Sequence, residues 1–266
     1  MRNYIFIFSW VVLSFLLLLY SFTQVDLSLT LNQTSFVQII QKSFQQVGYF
    51  NRPLSAFIYS TLIISMFVLY GLTLKFVNSH RISRKKIWIT IFFVSAILFF
   101  SYNAFSYDLF NYIFDARILT DYNQNPYQHK ALDYPGDPML SFMRWTHRVY
   151  PYGPAWLVLT APLTILGNNF FFGTFYLFKM LMAVSFLGSV FLIEKIARKT
   201  KIIDPLFAIA FFAFNPLVLI ESLVSSHNDI VMMFLLLTSV YFLLSKKTAL
   251  LSFFFVFAGL IKFATF

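Results

Sequence analysis

Long apolar runs, interrupted by short clusters of Lys and Arg, dominate this chain and constrain its fold more than any other feature. The runs are Tyr4–Phe22, Leu54–Val77, Ile87–Ser106, Phe170–Ile193, Pro205–Ile220, Ile230–Ser245 and Thr248–Phe266. Most approach or exceed the ~20 residues that carry a helix across a bilayer. They are too long and too unalternating for barrel strands. The expectation is an all-α fold, a polytopic transmembrane helical bundle of about seven spans. With only 11% charged residues and 59% hydrophobic ones, a soluble domain is excluded. The first run follows Arg2 as a secretory signal would, but it is longer than an h-region. Ser21-Phe22-Thr23-Gln24 is also a poor cleavage site, so a retained span is expected. No Cys is present, which excludes disulfides and thiolate metal sites.

The net charge of +10 would suit nucleic acid, but in a membrane chain the placement of charge matters more than its sum. Arg81, Arg84, Lys85 and Lys86 follow the second run; Lys195, Arg198, Lys199 and Lys201 follow the fourth; Lys246 and Lys247 follow the sixth. Positive loops stay cytoplasmic, and with Arg2 inside, all these clusters fall on one side. Pro154–Leu166 is apolar but short and contains Pro162. Counting it as a span would move the Lys195–Lys201 cluster outside, so it is expected to lie in the interface or re-enter. Asp26, Asp108, Asp115, Asp121, Asp133, Asp137, Glu221 and Asp229 then lie outside, and only Glu194 and Asp204 inside. A wet outer loop or an outward-facing carboxylate site accounts for this bias. The chain is expected to be one membrane-embedded module, 1–266, with an extracytoplasmic loop at 107–169.

In the first outer loop, Phe36, Ile39, Ile40, Phe44 and Val47 recur at helical spacing and predict a surface-lying helix. In the large loop, Pro138–Val149 is expected to form a short amphipathic helix turning Met139, Phe142, Met143 and Trp145 toward the bilayer. Asp108, Tyr112 and Asp115 are spaced to share one helix face. The two carboxylates could flank a substrate, bind a divalent cation with water and phosphate oxygens, or supply a general base. Alternatively, Asp108 caps a helix over Leu109–Leu119 and Asp115 pairs with Arg117. Ser225-Ser226-His227-Asn228-Asp229 lies on the same predicted face. His227 could meet a phosphate or carry a proton, oriented by Asp229, or Asn228 or Asp229 could simply start the sixth helix. Asn215-Pro216 disrupts the fifth span upstream. Lys262, expected on a helix about 21 Å from Thr248, is a candidate phosphate partner; Lys179 reads as a snorkelling lysine. Tyr150-Pro151-Tyr152-Gly153-Pro154 fixes a turn, preceded by Arg144, His147 and Arg148, which could face an anionic headgroup or anchor the interface. No P-loop, dinucleotide-binding, HExxH or catalytic-Ser motif occurs.

DLFNYIFDARILTDYNQNPY, YPYGPAWLVLTAPLTILG, FNPLVLIESLVSSHNDIVMMFLLL and AGLIKFA together resemble the bacterial GT-C-type membrane glycosyltransferases, closest to the polyprenol-phosphate-mannose-dependent mannosyltransferases. The resemblance runs from about Phe100 to the end. It implies an extracytoplasmic active site and transfer of a mannose-like hexose from a polyprenyl-phosphate donor to a glycan or lipid acceptor. Asp108 matches the family's essential Asp and would be the general base. Asp115 matches its second acid, with Arg117 following. Arg117, Tyr112, His227, Asn228, Asp229 and Lys262 form the candidate substrate-binding set, with His227, Lys262 and Arg117 as candidate donors to the leaving phosphate. Some members use a divalent metal, so Mg2+ or Mn2+ held by Asp108 and Asp115 is an expectation. Two departures stand out: Ser226 occupies a position that is commonly Gly, and members are usually longer, which makes this chain read as an N-terminal fragment. The competing readings are a transporter or flippase for a lipid-linked or anionic solute, and a non-catalytic truncated relative.

Overall fold

The computed structural model describes residues 3–168 and 170–262. Among these the elements are helical, and the only strand-like pairing is an isolated bridge between Lys130 and Val149. The helices are α1 (Asn3–Phe22), α2 (Ser35–Gln45), α3 (Arg52–Asn78), α4 (Arg84–Phe99), α5 (Asp108–Thr120), α6 (Pro154–Gly167), α7 (Phe171–Thr200), α8 (Pro205–Ala213), α9 (Pro216–Leu219), α10 (Asp229–Leu244) and α11 (Thr248–Gly259). The all-α expectation holds. Three helical stretches, Tyr4–Phe22, Arg52–Asn78 and Phe171–Thr200, are long and apolar enough to cross a membrane, and α8 with the residues after its break makes a fourth. The other three expected spans are helices of 16, 16 and 12 residues, shorter than the ~20 residues of a full crossing.

The chain divides into two compact units, Met1–Phe105 with Ile193–Val224, and Ser106–Leu192 with Ser225–Phe266. In the first, α1 packs on α3 and α4. Trp10 is fully buried; its Nε1 donates to Thr73 Oγ1 at 3.0 Å, and its ring lies 4.8 Å from Phe214. The break after α8 follows from Pro216, which has no N–H to give the Phe212 carbonyl. Asn215 N–H bonds that carbonyl instead at 3.3 Å, and the Asn215 side chain accepts Leu217 N–H at 3.0 Å. Phe211 O, freed by the same shift, accepts from the Tyr70 hydroxyl at 3.0 Å, as a backbone group in an apolar setting must. The two arms meet at 57°, and the second ends in a π-type turn, Ile220–Val224. At the basic end of this unit, Glu194 is clamped by Arg84 and Arg198, each at 2.6 Å, and by Trp88 Nε1 at 2.9 Å.

The predicted surface-lying helix is present as α2. Its polar side faces inward: Gln41 and Gln45 are buried and donate to the carbonyls of Leu29, Val25 and Asp26, while Phe36, Ile39 and Ile40 are exposed. An apolar face turned outward is what an in-plane membrane helix presents to lipid.

In the second unit, α5 packs on α6, and α10 pairs with α11. Two expectations are corrected here. Pro138–Val149 is not an amphipathic helix. Only a 3-10 turn over Pro138–Ser141 forms, capped by Asp137, and Trp145 takes a left-handed φ of 58°. Met139, Phe142 and Met143 are buried within the protein, and Trp145 alone is exposed. The seventh helix stops at Gly259 rather than continuing through Lys262. Residues 263–266 of that expected span lie outside the described residues, as does Arg2.

Candidate functional site

Helix α5 is apolar around most of its circumference and is almost wholly buried, so its position is fixed by packing. It starts at Asp108, whose N–H donates to Ser106 Oγ at 3.1 Å. The helix therefore does not need the Asp108 carboxylate as a cap, and this carboxylate faces the His227 imidazole instead, Oδ2 to Nε2 3.8 Å, with both side chains about a quarter exposed. One turn on, Tyr112 is 2% exposed, and its hydroxyl accepts the Asn228 N–H at 3.4 Å. The Tyr152 ring stands edge-on to that of Tyr112, with centroids 5.1 Å apart. Burial, with Tyr152 and Asp108 close by, raises the Tyr112 phenol well above its ordinary value. Tyr152 is pushed up to about 12, by burial first and then by the Asp108 charge. Both phenols thus stay neutral donors, and they link the segment at Asn228 to the space between the two acids of α5.

Asp115 is 7% exposed; burial pushes its carboxyl up to about 7, against the pull of Arg148. The charge facing it is Arg148, not Arg117. Arg117 does not join the group: its Nε binds Asp121 at 2.7 Å and its Nη1 binds Asp137 at 3.1 Å. Asp137 also accepts from the Tyr122 hydroxyl at 2.7 Å, so this fork fastens the large loop onto the end of α5.

Asn228 and Ser226 are fully buried, and among the described residues neither the Asn228 amide nor the Ser226 hydroxyl has a hydrogen-bond partner. Trp156 Nε1 and Asn111 Oδ1 share that condition. Buried polar groups of this kind are satisfied by water or by a ligand's hydroxyls. Ser226 has φ 55°, a left-handed conformation that favours glycine, so a serine here is strained. Asp229 begins α10, and both its oxygens bind Lys262 Nζ, at 2.9 and 3.0 Å.

Lys262 reaches Asp229 because the chain leaves the helix before it. Gly153 N–H donates to Ile261 O at 3.0 Å and Ala155 N–H to Leu260 O at 3.1 Å. The turn of Tyr150–Pro154 is thereby docked on the turn residues Leu260 and Ile261 after α11. A Cβ at Gly153 would overlap the Leu260 carbonyl. Gly153→Ala is therefore expected to destabilise the protein by ~1–3 kcal/mol and to raise trypsin cleavage after Lys262. Unchanged melting and cleavage would mean that this contact does not hold the segment.

The structure thus brings together Asp108, Tyr112, His227 and Asn228, places Asp115 in the adjoining wall and Lys262 on Asp229, and leaves Arg117 apart. Tyr152 and Arg148 belong to the group as well. Tyr152 was visible in the sequence only as a turn residue, since nothing in its spacing places it between two acids. Among the described residues, no three His, Asp or Glu side chains converge as a metal site. A divalent ion held by Asp108 and Asp115 would therefore depend also on phosphate oxygens and water.

Comparison with known families matches residues 11–266 to the family described as alpha-(1->6)-mannopyranosyltransferase, N-terminal domain. The comparisons with curated proteins and with solved structures gave no match. The match covers nearly the whole chain, agrees with the mannosyltransferase resemblance of its motifs, and replaces the transporter reading with that of an enzyme acting on a sugar donor and acceptor. The chain belongs to the alpha-(1->6)-mannopyranosyltransferase family and is a glycosyltransferase built as an all-helical membrane protein.

Proposed function

We propose that the chain transfers a mannose-like hexose from a polyprenyl-phosphate donor to a glycan or lipid acceptor at the outer face of the membrane, with Asp108 as general base. The observation that carries this reading is the Asp108–His227 pair at 3.8 Å, about a quarter exposed to solvent beside buried donors. The outer placement is supported by the basic clusters that bias the other side inward. In the proposed step the acceptor hydroxyl gives its proton to the Asp108 carboxylate as its oxygen bonds the anomeric carbon. The bond from that carbon to the phosphate oxygen breaks, and its electron pair leaves with the polyprenyl phosphate. Charge grows on that phosphate and needs preorganised donors. His227 and Lys262 would supply them, with Asp229 holding the Lys262 ammonium until phosphate competes for it. Asn228 offers its amide to sugar hydroxyls. Asp115 acts with Arg148 and Tyr152 in the wall behind. A divalent metal, where one is used, would add positive charge at the phosphate, held by Asp108.

A single displacement inverts the anomeric centre. Incubating the purified protein with polyprenyl-phosphate mannose and an oligomannoside acceptor is expected to give a mannosylated product of inverted configuration by NMR. A product of retained configuration would rule out direct attack, and no transfer would sink the donor assignment.

A further inference from the structure

The first unit holds a group of side chains that the proposed step does not use. Tyr20 lies near the end of α1, Tyr59 near the start of α3, Phe105 beyond α4, and Glu221 in the π-type turn after α9. The three rings form a triangular cluster: Tyr20 and Tyr59 stack at 5.3 Å, Tyr59 and Phe105 lie 4.9 Å apart, and Tyr20 and Phe105 are 6.0 Å apart at 18°. Tyr20 forms the back, 7% exposed, its hydroxyl 2.9 Å from Ser55 Oγ. Phe105 forms the front and is 43% exposed. The Glu221 carboxylate, half-buried, lies within electrostatic reach of the Tyr59 hydroxyl. The result is a rigid aromatic surface backed by other rings, with an acid at its rim.

Packing alone does not explain this arrangement. Phe105 has φ 70°, where a bulky side chain is a true outlier, and strain of this kind concentrates at ligand sites. Glu221 sits in a π-type turn, an extra residue worked into a helix, which also recurs at functional positions. A carboxylate at the end of a broken apolar helix is a functional candidate in its own right. A pyranose matches such a surface: its C–H face is apolar and lies against the electron-rich face of a ring, and its rim hydroxyls donate charge-assisted bonds to a carboxylate.

We propose that Tyr59, Phe105 and Glu221 form a carbohydrate subsite that binds a pyranose ring of the acceptor. This rests on reading the chain as a transferase to a sugar acceptor, but the subsite can be tested without turnover. The probe is α-(1->6)-linked mannotriose, chosen to match the family's linkage, with saturation-transfer NMR on the purified full chain. Wild type and Tyr59→Phe, which keeps the ring, are expected to bind. Glu221→Gln and Phe105→Gly are expected to bind roughly tenfold more weakly or worse, the size of one lost hydrogen bond to a charge. Glycine relieves the left-handed backbone at 105 while removing the ring, and the nearly isosteric Glu221→Gln carries the test if Phe105→Gly melts. Absent binding by wild type, or equal binding by Glu221→Gln, overturns the subsite. Normal binding without any transfer from polyprenyl-phosphate mannose overturns the donor assignment and leaves the subsite standing.

Discussion

Asp108→Asn is expected to lower kcat for transfer by roughly 10²–10⁴-fold, the usual worth of a positioned general base, while the KM for the donor changes little. The amide keeps the shape of the carboxylate but cannot take the acceptor's proton. Folding should survive, because Asp108 does not cap α5: its N–H is held by Ser106, and its carboxylate faces His227 at 3.8 Å. The change is therefore expected in the chemical step, and it should be coupled to His227. Once Asp108→Asn is in place, His227→Asn should cost much less than it does alone, because residues acting as a unit are non-additive. Rates measured with labelled polyprenyl-phosphate mannose over the four members of the cycle check this. Wild-type kcat in Asp108→Asn would remove Asp108 from the mechanism.

Asp115→Asn is expected to act on stability, by an amount that depends on pH. The buried Asp115 carboxyl is pushed up to about 7 from an ordinary 3.8, by burial first and with Arg148 opposing. The folded protein then holds a proton that the unfolded chain has released between about pH 4 and 7. Asp115's contribution is full below that window and is lost as pH rises through it. A difference of this size is worth about 4 kcal/mol. Asp115→Asn should consequently melt well above wild type at pH 8 and close to it at pH 4.5, by thermal unfolding in detergent. An equal offset at both pH values would show that Arg148 already stabilises the carboxylate and that burial does not dominate.

The elements visible in the sequence are those set by local pattern. The lengths of α1 and α3 follow from uninterrupted apolar runs, α2 from its spacing, and the break at Asn215-Pro216 from the missing N–H; α7 runs past the expected end at Ile193 through the basic cluster to Thr200. The starts of α5 and α10, at Asp108 and Asp229, were legible in the same way. What the sequence hid depends on partners distant in the chain. Met139, Phe142 and Met143 show that an apolar residue can be recognised without knowing which apolar phase receives it; all three are buried by protein. The end of α11 is unmarked because Leu260 and Ile261 continue the greasy run, and it is set by bonds from Gly153 and Ala155. Local spacing offered Asp115 as a partner for Arg117, whereas the fold gives Arg117 to Asp121 and Asp137. For the candidate site, the acids and the His-Asn-Asp segment could be named beforehand. The phenol link through Tyr152 and the left-handed Ser226 could not, since both are properties of tertiary structure.

The chain has no cysteine, so single thiols can be introduced without background. A membrane-impermeant maleimide added to intact cells that express Asp108→Cys or His227→Cys tests the shared outer site most directly. Labelling of both from the outside, and blocking of both by a donor analogue, is the predicted result. Modification of one thiol from outside and of the other only after the membrane is opened would separate the acid from the imidazole and contradict the account.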